Sequence, residues 1–300
     1  MTAKQWSVVV VGAGLMGSQI SLLCAARGHT FVVVDADSDA VDRCRSQHTD
    51  QVDDYVRGGA SAEQDALGRI RYSTTLGKDE VASADIVIEA IAEHLDLKRR
   101  LFEQLDALTS ASTILATNIS SLRASQIAVA TRHRQRVINL HFYQPVWDNP
   151  IVEIMGGPAT DPTHLDRAQA FAVSLGVLPI RVQRESTGFV ANRIWRAIKR
   201  EALHLVADGV ATPEDVDRSW MVLYGNDIGP FGRMDRVGLD VVLAIERTYH
   251  DESGLDFDAP PAMLVDMVAR DELGVKTKKG FYAYPHPAFE DTGFLLPPTT

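Results

Sequence analysis

The sequence predicts an α/β domain with a mostly parallel sheet, followed by an all-α domain. Three observations carry this. Short β-branched runs alternate with helix-period segments through the first half. Several of those runs, SVVVV and FVVV above all, are almost continuously apolar, as in strands covered on both faces. Beyond Ser186 the strand-like runs stop and only helical spacing remains.

Taken in order, SVVVV (7–11) is the first strand, closed by glycines, and GLMGSQISLLCAARG (14–28) is a helix that stops at Gly28. FVVVD (31–35) is the second strand, and 37–59 is a polar helix with a Gly-Gly end. RIRYSTT (69–75) and ADIVIEAIAE (84–93) read as strands. Residues 95–109 place Leu97, Leu101, Phe102, Leu105 and Leu108 at helical spacing. TILATNIS (113–120), RVINLHFY (136–143) and VLPIRVQ (177–183) complete the strands. Helices follow over 186–209, 212–225, 239–251 and 260–274, with Thr212 as an N-cap and Pro213 at the first helical position. The domains are therefore placed at 1–185 and 186–300. The Pro-rich tail 284–300 is expected to be a loosely held arm.

At 300 residues the chain exceeds one ordinary core, and its 45% apolar and 23% charged content is that of a globular protein. A net charge of −10 without a basic block argues against nucleic acid and anionic membrane as partners. No apolar run approaches the ~20 residues that span a bilayer, and the N-terminus lacks a signal-peptide plan. Cys24 and Cys44 have no CxxC partner, so reduced thiols serving as filler and a cytoplasmic location are expected. The histidines other than His141 show no ligand spacing, and no metal is expected. Arg132, Arg134 and Arg136 read as a solvated surface.

Gly12, Gly14 and Gly17 follow the first strand and open the first helix, and Asp35 ends the next strand 18 residues after Gly17. Gly12 permits the tight turn, Gly14 lets a pyrophosphate reach the helix N-terminus, and Gly17 lets the helix pack on the sheet. The Asp35 carboxylate suits both ribose hydroxyls and repels a 2′-phosphate, which favours NAD over NADP. A nicotinamide enzyme that oxidises an alcohol needs a base for the hydroxyl proton, and a histidine suits that at neutral pH. His141 and Glu153 form such a pair if the Pro-containing segment 145–150 turns the chain back. On spacing alone, a structural histidine at a strand end is the alternative.

The motifs GAGLMG, EAIAEHLDLK (89–98), TNISSL (117–122), HFYQP (141–145), VEIMGG (152–157), TGFVANR (187–193), GPFG-x-MD-x-VGLD (229–240) and KTKKGFYAY (276–284) occur in one order along nearly the whole chain. In them the chain resembles the L-3-hydroxyacyl-CoA dehydrogenases, and also the wider superfamily with lambda-crystallin-like gulonate dehydrogenases and carnitine dehydrogenases. The resemblance implies a Rossmann-type N-terminal domain, a helical C-terminal domain that forms a homodimer, and a place in fatty-acid metabolism. It implies His141 as base, Glu153 as its partner carboxylate, Ser120 on the substrate oxygen and Asn192 facing the substrate. Glu93, Lys98 and Lys276 match residues that contact the dinucleotide. Asn118 and Ser120 also sit just after an apolar strand, where ligands bind open α/β sheets.

The chain departs from the family pattern in two regions. Gln144 stands where the family usually has Asn, moving the amide by about 1.5 Å, which matters in a preorganised site. Beside it Tyr143 replaces the usual Phe and is read as packing, with a ligand contact through its hydroxyl as the alternative. The second departure concerns coenzyme A: in fatty-acid members a lysine-rich segment after the second strand meets its nucleotide end, whereas 35–59 here contains no Lys and is rich in Asp. The leading expectation is NAD-dependent interconversion of 3-hydroxyacyl and 3-oxoacyl groups. The alternatives are the same chemistry on a carrier-protein-bound acyl group or a free hydroxy acid, gulonate- or carnitine-like, and a crystallin-like dinucleotide-binding protein without activity.

Overall fold

The computed structural model describes residues 4–57 and 67–296. Its first compact unit, Met1–Val190, contains β1 (Ser7–Val11), α1 (Leu15–Ala26), β2 (Thr30–Val34), α2 (Ser38–Arg57), β3 (Ile70–Ser73), α3 (Lys78–Val81) and β4 (Ile86–Glu89). It continues with α4 (Leu95–Leu108), β5 (Ile114–Thr117), α5 (Ala124–Ala128), β6 (Val137–Phe142), β7 (Ile151–Gly156), α6 (Pro162–Ser174) and β8 (Leu178–Val182). The strands form one sheet in the order β3-β2-β1-β4-β5-β6-β7-β8. Every pairing is parallel except β6 with β7. Successive valines of β1 go to opposite faces: Val8 and Val10 pack with Ile20, Phe31 and Phe171, while Val9 and Val11 pack with Phe102 and Leu105. Burial on both faces is why this strand reads as a continuous apolar run.

The second unit, Ala191–Thr300, is helical: α7 (Ala191–Ala207), α8 (Pro213–Tyr224), α9 (Pro230–Val237), α10 (Leu239–Ser253) and α11 (Ala262–Ala269). Thr212 caps α8 by accepting from the Asp215 N–H, and Gly225 ends it in the left-handed region at φ 65°. The two late motifs are explained by two buried carboxylates. Asp217 accepts from the Phe231 and Gly232 N–H groups that open α9 and from the Tyr282 hydroxyl. Asp235 accepts from the Phe281 and Tyr282 N–H groups and the Tyr284 hydroxyl. Burial raises both carboxyl pKa values, and this donor ring opposes that by stabilising the charge.

Four sequence expectations are corrected. The first helix of the second unit starts at Ala191 rather than Ser186, because Gly188 and Phe189 adopt φ 77° and 53°. The expected strand 84–93 ends at Glu89, whose side chain accepts from the Ile91 N–H and bends the chain out of the sheet. Arg136 is not solvated: its guanidinium is fully buried and bonded to the Asp106 carboxylate and to the carbonyls of Asp106, Ser110 and Thr113. The tail is anchored as far as Phe294, since Phe289 and Phe294 are buried against Tyr282 and Arg218 Nε donates to the Phe294 carbonyl.

His48 on α2 gives an acid-stability prediction. Its ring is fully buried, with Nδ1 2.6 Å from the Tyr72 hydroxyl and Nε2 2.9 Å from the Ser18 carbonyl. Burial pushes its pKa down to about 4. Between that value and the ordinary ~6.5 the unfolded chain binds a proton that the native ring refuses. Its contribution is therefore complete above pH ~6.5 and is lost as pH falls toward 4, about 3 kcal/mol in all. Urea midpoints measured from pH 7 to 4.5 should fall, and His48→Gln should flatten the slope. An unchanged slope in the variant counts against this assignment.

Candidate active site

The candidate residues of the first unit gather at the edge of the sheet where its parallel strands end. β1 leaves the sheet at Gly12, with φ 113°, where a Cβ would lie 2.5 Å from the Ala90 carbonyl oxygen. A Cβ on Gly17 would come within 1.8 Å of the Gly12 carbonyl oxygen, so α1 can seat on the turn only through glycine. At Gly14, by contrast, a Cβ would meet nothing within 4 Å, and no side chain caps α1. The helix thus offers its first N–H groups to an open space. A cavity of about 800 Å³ adjoins it, lined by Gly12, Gly14, Asp35, Leu76, Ile91 and Arg100 among others. Asp35 is oriented by the Ala13 and Asp37 N–H groups at 2.8 and 3.0 Å. Anion-ready amides, an apolar wall and a fixed carboxylate are what a dinucleotide's pyrophosphate, adenine and ribose require. Arg100 and Gln104, one turn apart on α4, line the same cavity. Neither stood out in the sequence, because exposed polar residues on an amphipathic helix carry no motif.

His141 lies near the C-terminal end of β6, and antiparallel pairing sets it directly opposite Glu153 on β7. The imidazole Nδ1 is 3.1 Å from Glu153 Oε2, with His141 6% and Glu153 1% exposed. With Glu153 ionised, Nδ1 would donate to it and Nε2 would hold the basic lone pair. The Phe189 ring lies 4.8 Å from the imidazole, and the Val190 N–H donates to Glu153 Oε1 at 2.9 Å. The Tyr143 hydroxyl donates to Glu153 Oε2 at 2.6 Å, so this tyrosine does more than the packing expected of it.

The remaining candidates have varied surroundings. Asn118 Oδ1 accepts from the Phe142 N–H, tying the turn after β5 to β6 beside His141. Ser120 donates to Glu93 Oε1 at 3.2 Å and Ser121 to Glu93 Oε2 at 3.1 Å. Lys98 is 1% exposed and paired with the buried Glu89, with a further bond to the Ile91 carbonyl. In the second unit, Asn192 is half-buried in the first turn of α7, and Lys276 pairs with Asp240. Among the described residues no cluster of His, Cys, Asp and Glu is arranged to hold a metal ion.

The comparisons agree along nearly the whole chain. Residues 7–186 match the 3-hydroxyacyl-CoA dehydrogenase NAD binding domain, and 188–284 match the C-terminal domain of the same family. The chain is 35% identical to the 3-hydroxybutyryl-CoA dehydrogenase of Clostridioides difficile, covering 92% of this chain and 99% of the relative. It is 34% identical to the mitochondrial hydroxyacyl-coenzyme A dehydrogenase of Homo sapiens, over 92% and 90% of the two chains. Among solved structures, the (S)-3-hydroxybutyryl-CoA dehydrogenase of Ralstonia eutropha superposes with a TM-score of 0.86 at 34% identity, over 94% of this chain and 100% of that one. An NAD-binding domain with a built dinucleotide cradle, matched along with its helical partner domain, leaves one assignment: the chain is an NAD-dependent oxidoreductase and belongs to the 3-hydroxyacyl-CoA dehydrogenase family.

Proposed function

We propose that the chain interconverts 3-hydroxyacyl-CoA and 3-oxoacyl-CoA, with His141 as the base and Glu153 as its partner. The observation that carries this is the buried 3.1 Å contact between the two side chains at the ligand-binding edge of the sheet. Bound NAD supplies the acceptor for the hydride that leaves the substrate carbon. His141 takes the hydroxyl proton at Nε2, and the charge that the ring gains is stabilised by Glu153 across Nδ1. Ser120 holds the substrate oxygen, Gly12, Gly14, Gly17 and Asp35 hold the dinucleotide, and Glu93, Lys98 and Asn118 support its site; the roles of Asn192 toward the substrate and Lys276 toward the dinucleotide rest on the family resemblance alone. In reduction His141 returns the proton to the 3-oxo group. Exposed Ile194 on α7 and Val222, Leu223 and Tyr224 on α8 support a homodimer through the second unit. No helix is long and apolar enough to cross a membrane among the described residues, and the buried, unbridged Cys24 and Cys44 support a cytoplasmic location.

A second reading keeps the chemistry and replaces coenzyme A by a carrier protein or by no carrier. It is favoured by α2, where Arg43 pairs with Asp37 at 3.4 Å and the Arg45 guanidinium lies over the Tyr72 ring. The 3′-phosphate of coenzyme A calls for cationic donors that this acidic helix does not supply in number. Following NADH absorbance with acetoacetyl-CoA, longer 3-oxoacyl-CoAs, carrier-linked 3-oxoacyl groups and free hydroxy acids separates the readings. Highest kcat/KM on a CoA thioester is expected. Turnover of carrier-linked or free substrates alone replaces coenzyme A in the assignment, and NADH binding without turnover of any of them overturns the enzymatic reading.

A further inference from the structure

Tyr143 follows His141 by two residues, just beyond β6, and is half-buried. Its hydroxyl is 2.6 Å from Glu153 Oε2, the oxygen that lies 3.1 Å from His141 Nδ1. The two rings are 4.4 Å apart and tilted by 54°. Phenol and imidazole therefore both donate to one carboxylate oxygen. Burial and the adjacent carboxylate push the phenol pKa well above its ordinary value, so Tyr143 keeps its proton across the working pH range.

We infer that Tyr143 is a positioning residue that tunes the His141–Glu153 pair by sharing the carboxylate oxygen to which the imidazole is bonded. The inference rests on His141 being the base. A donor on a carboxylate stabilises the charge there and leaves less of it to stabilise a neighbouring imidazolium. With Tyr143 in place, His141 therefore gives up its proton more readily than a dyad without the phenol. Oxidation then stays active to lower pH, and the protonated ring is a stronger acid in reduction. The phenol also fixes which Glu153 oxygen faces the ring, since the other is taken by the Val190 N–H.

The groups around the pair support this assignment. On β8 the residue opposite Glu153 is Ile180, and Arg181 turns to Asp166 at 3.0 Å. The segment after β8 brings the Phe189 ring and the Val190 N–H, neither of which titrates. Toward β5, Asn118 is an uncharged amide bonded to the Phe142 N–H, and Glu93 is held by Ser120 and Ser121. Of these, only Glu153 and His141 are ionisable partners of the phenol.

Tyr143→Phe removes one oxygen and keeps the ring. In protein with 13C-labelled histidines, the His141 ring signal, assigned by its loss in His141→Gln, should titrate about one pH unit higher in Tyr143→Phe than in the wild type. The acid limb of kcat/KM for oxidation should rise with it, making turnover below that limb roughly tenfold slower. In a Glu153→Gln background the same substitution should move the midpoint by less than about a third as much. A midpoint within about 0.2 unit of wild type, or a full shift that persists in Glu153→Gln, overturns the inference. Turnover retained by His141→Gln overturns the base reading and this one with it. Turnover lost in His141→Gln with an unmoved midpoint in Tyr143→Phe overturns this one alone.

Discussion

His141→Gln is expected to lower kcat/KM for oxidation by about 10²–10⁴-fold while leaving NAD affinity within roughly twofold of wild type. Glutamine is the informative replacement because it retains hydrogen-bonding atoms near Glu153 and offers no group that titrates near neutrality. His141→Ala adds a cavity beside the Phe189 ring and mixes packing with chemistry. The dinucleotide cradle is built from β1, α1 and β2, whereas His141 comes from β6, so the two losses separate. Stopped-flow hydride transfer and fluorescence titration with NADH measure them independently. Near-full turnover in the glutamine variant removes His141 from its role, and the acid limb of the wild-type profile then belongs to another group.

What was legible beforehand divides by the range of the signal. The cradle was readable because its requirements are local: Gly12 and Gly17 must be glycine within one strand–turn–helix, and Asp35 ends the strand that follows. The pairing of His141 with Glu153 was only conditional, because it depends on where the chain reverses. The structure supplies that reversal as the single antiparallel pairing of an otherwise parallel sheet. The Tyr143 hydroxyl bond was not readable, because Tyr and Phe satisfy the same apolar pattern and only the facing carboxylate distinguishes them. Arg136 misled for the same reason: its partners Asp106 and Ser110 lie on α4 and just beyond it, far back in the chain, and three alternating arginines look like surface until that acid is in place. Thr212 and Pro213 marked a helix start correctly because capping is completed within one turn.

The second large effect is expected at Lys98, where stability rather than affinity should fall first. Glu89 ends β4 fully buried, with Oε2 accepting from the Thr117 hydroxyl at 2.7 Å and Oε1 from the Ile91 N–H at 2.7 Å and from Lys98. The Lys98 ammonium also donates to the Ile91 carbonyl at 3.1 Å. One buried ion pair thus joins the ends of β4 and β5 to α4 and anchors the stretch that carries Glu93, which in turn receives Ser120 and Ser121. Removing the cation alone leaves a carboxylate in the interior, so Lys98→Met should cost about 3–5 kcal/mol in urea melts at pH 7. Adding Glu89→Gln removes the stranded charge and should restore a large part of that loss. A direct ammonium contact to the dinucleotide, as the family resemblance implies for Lys98, predicts the opposite order: NAD affinity drops, the urea midpoint holds, and Glu89→Gln rescues nothing. Because an ammonium that is 1% exposed and already bonded to Glu89 and Ile91 must give up those partners to reach a ligand, the stability loss is the outcome that the geometry favours.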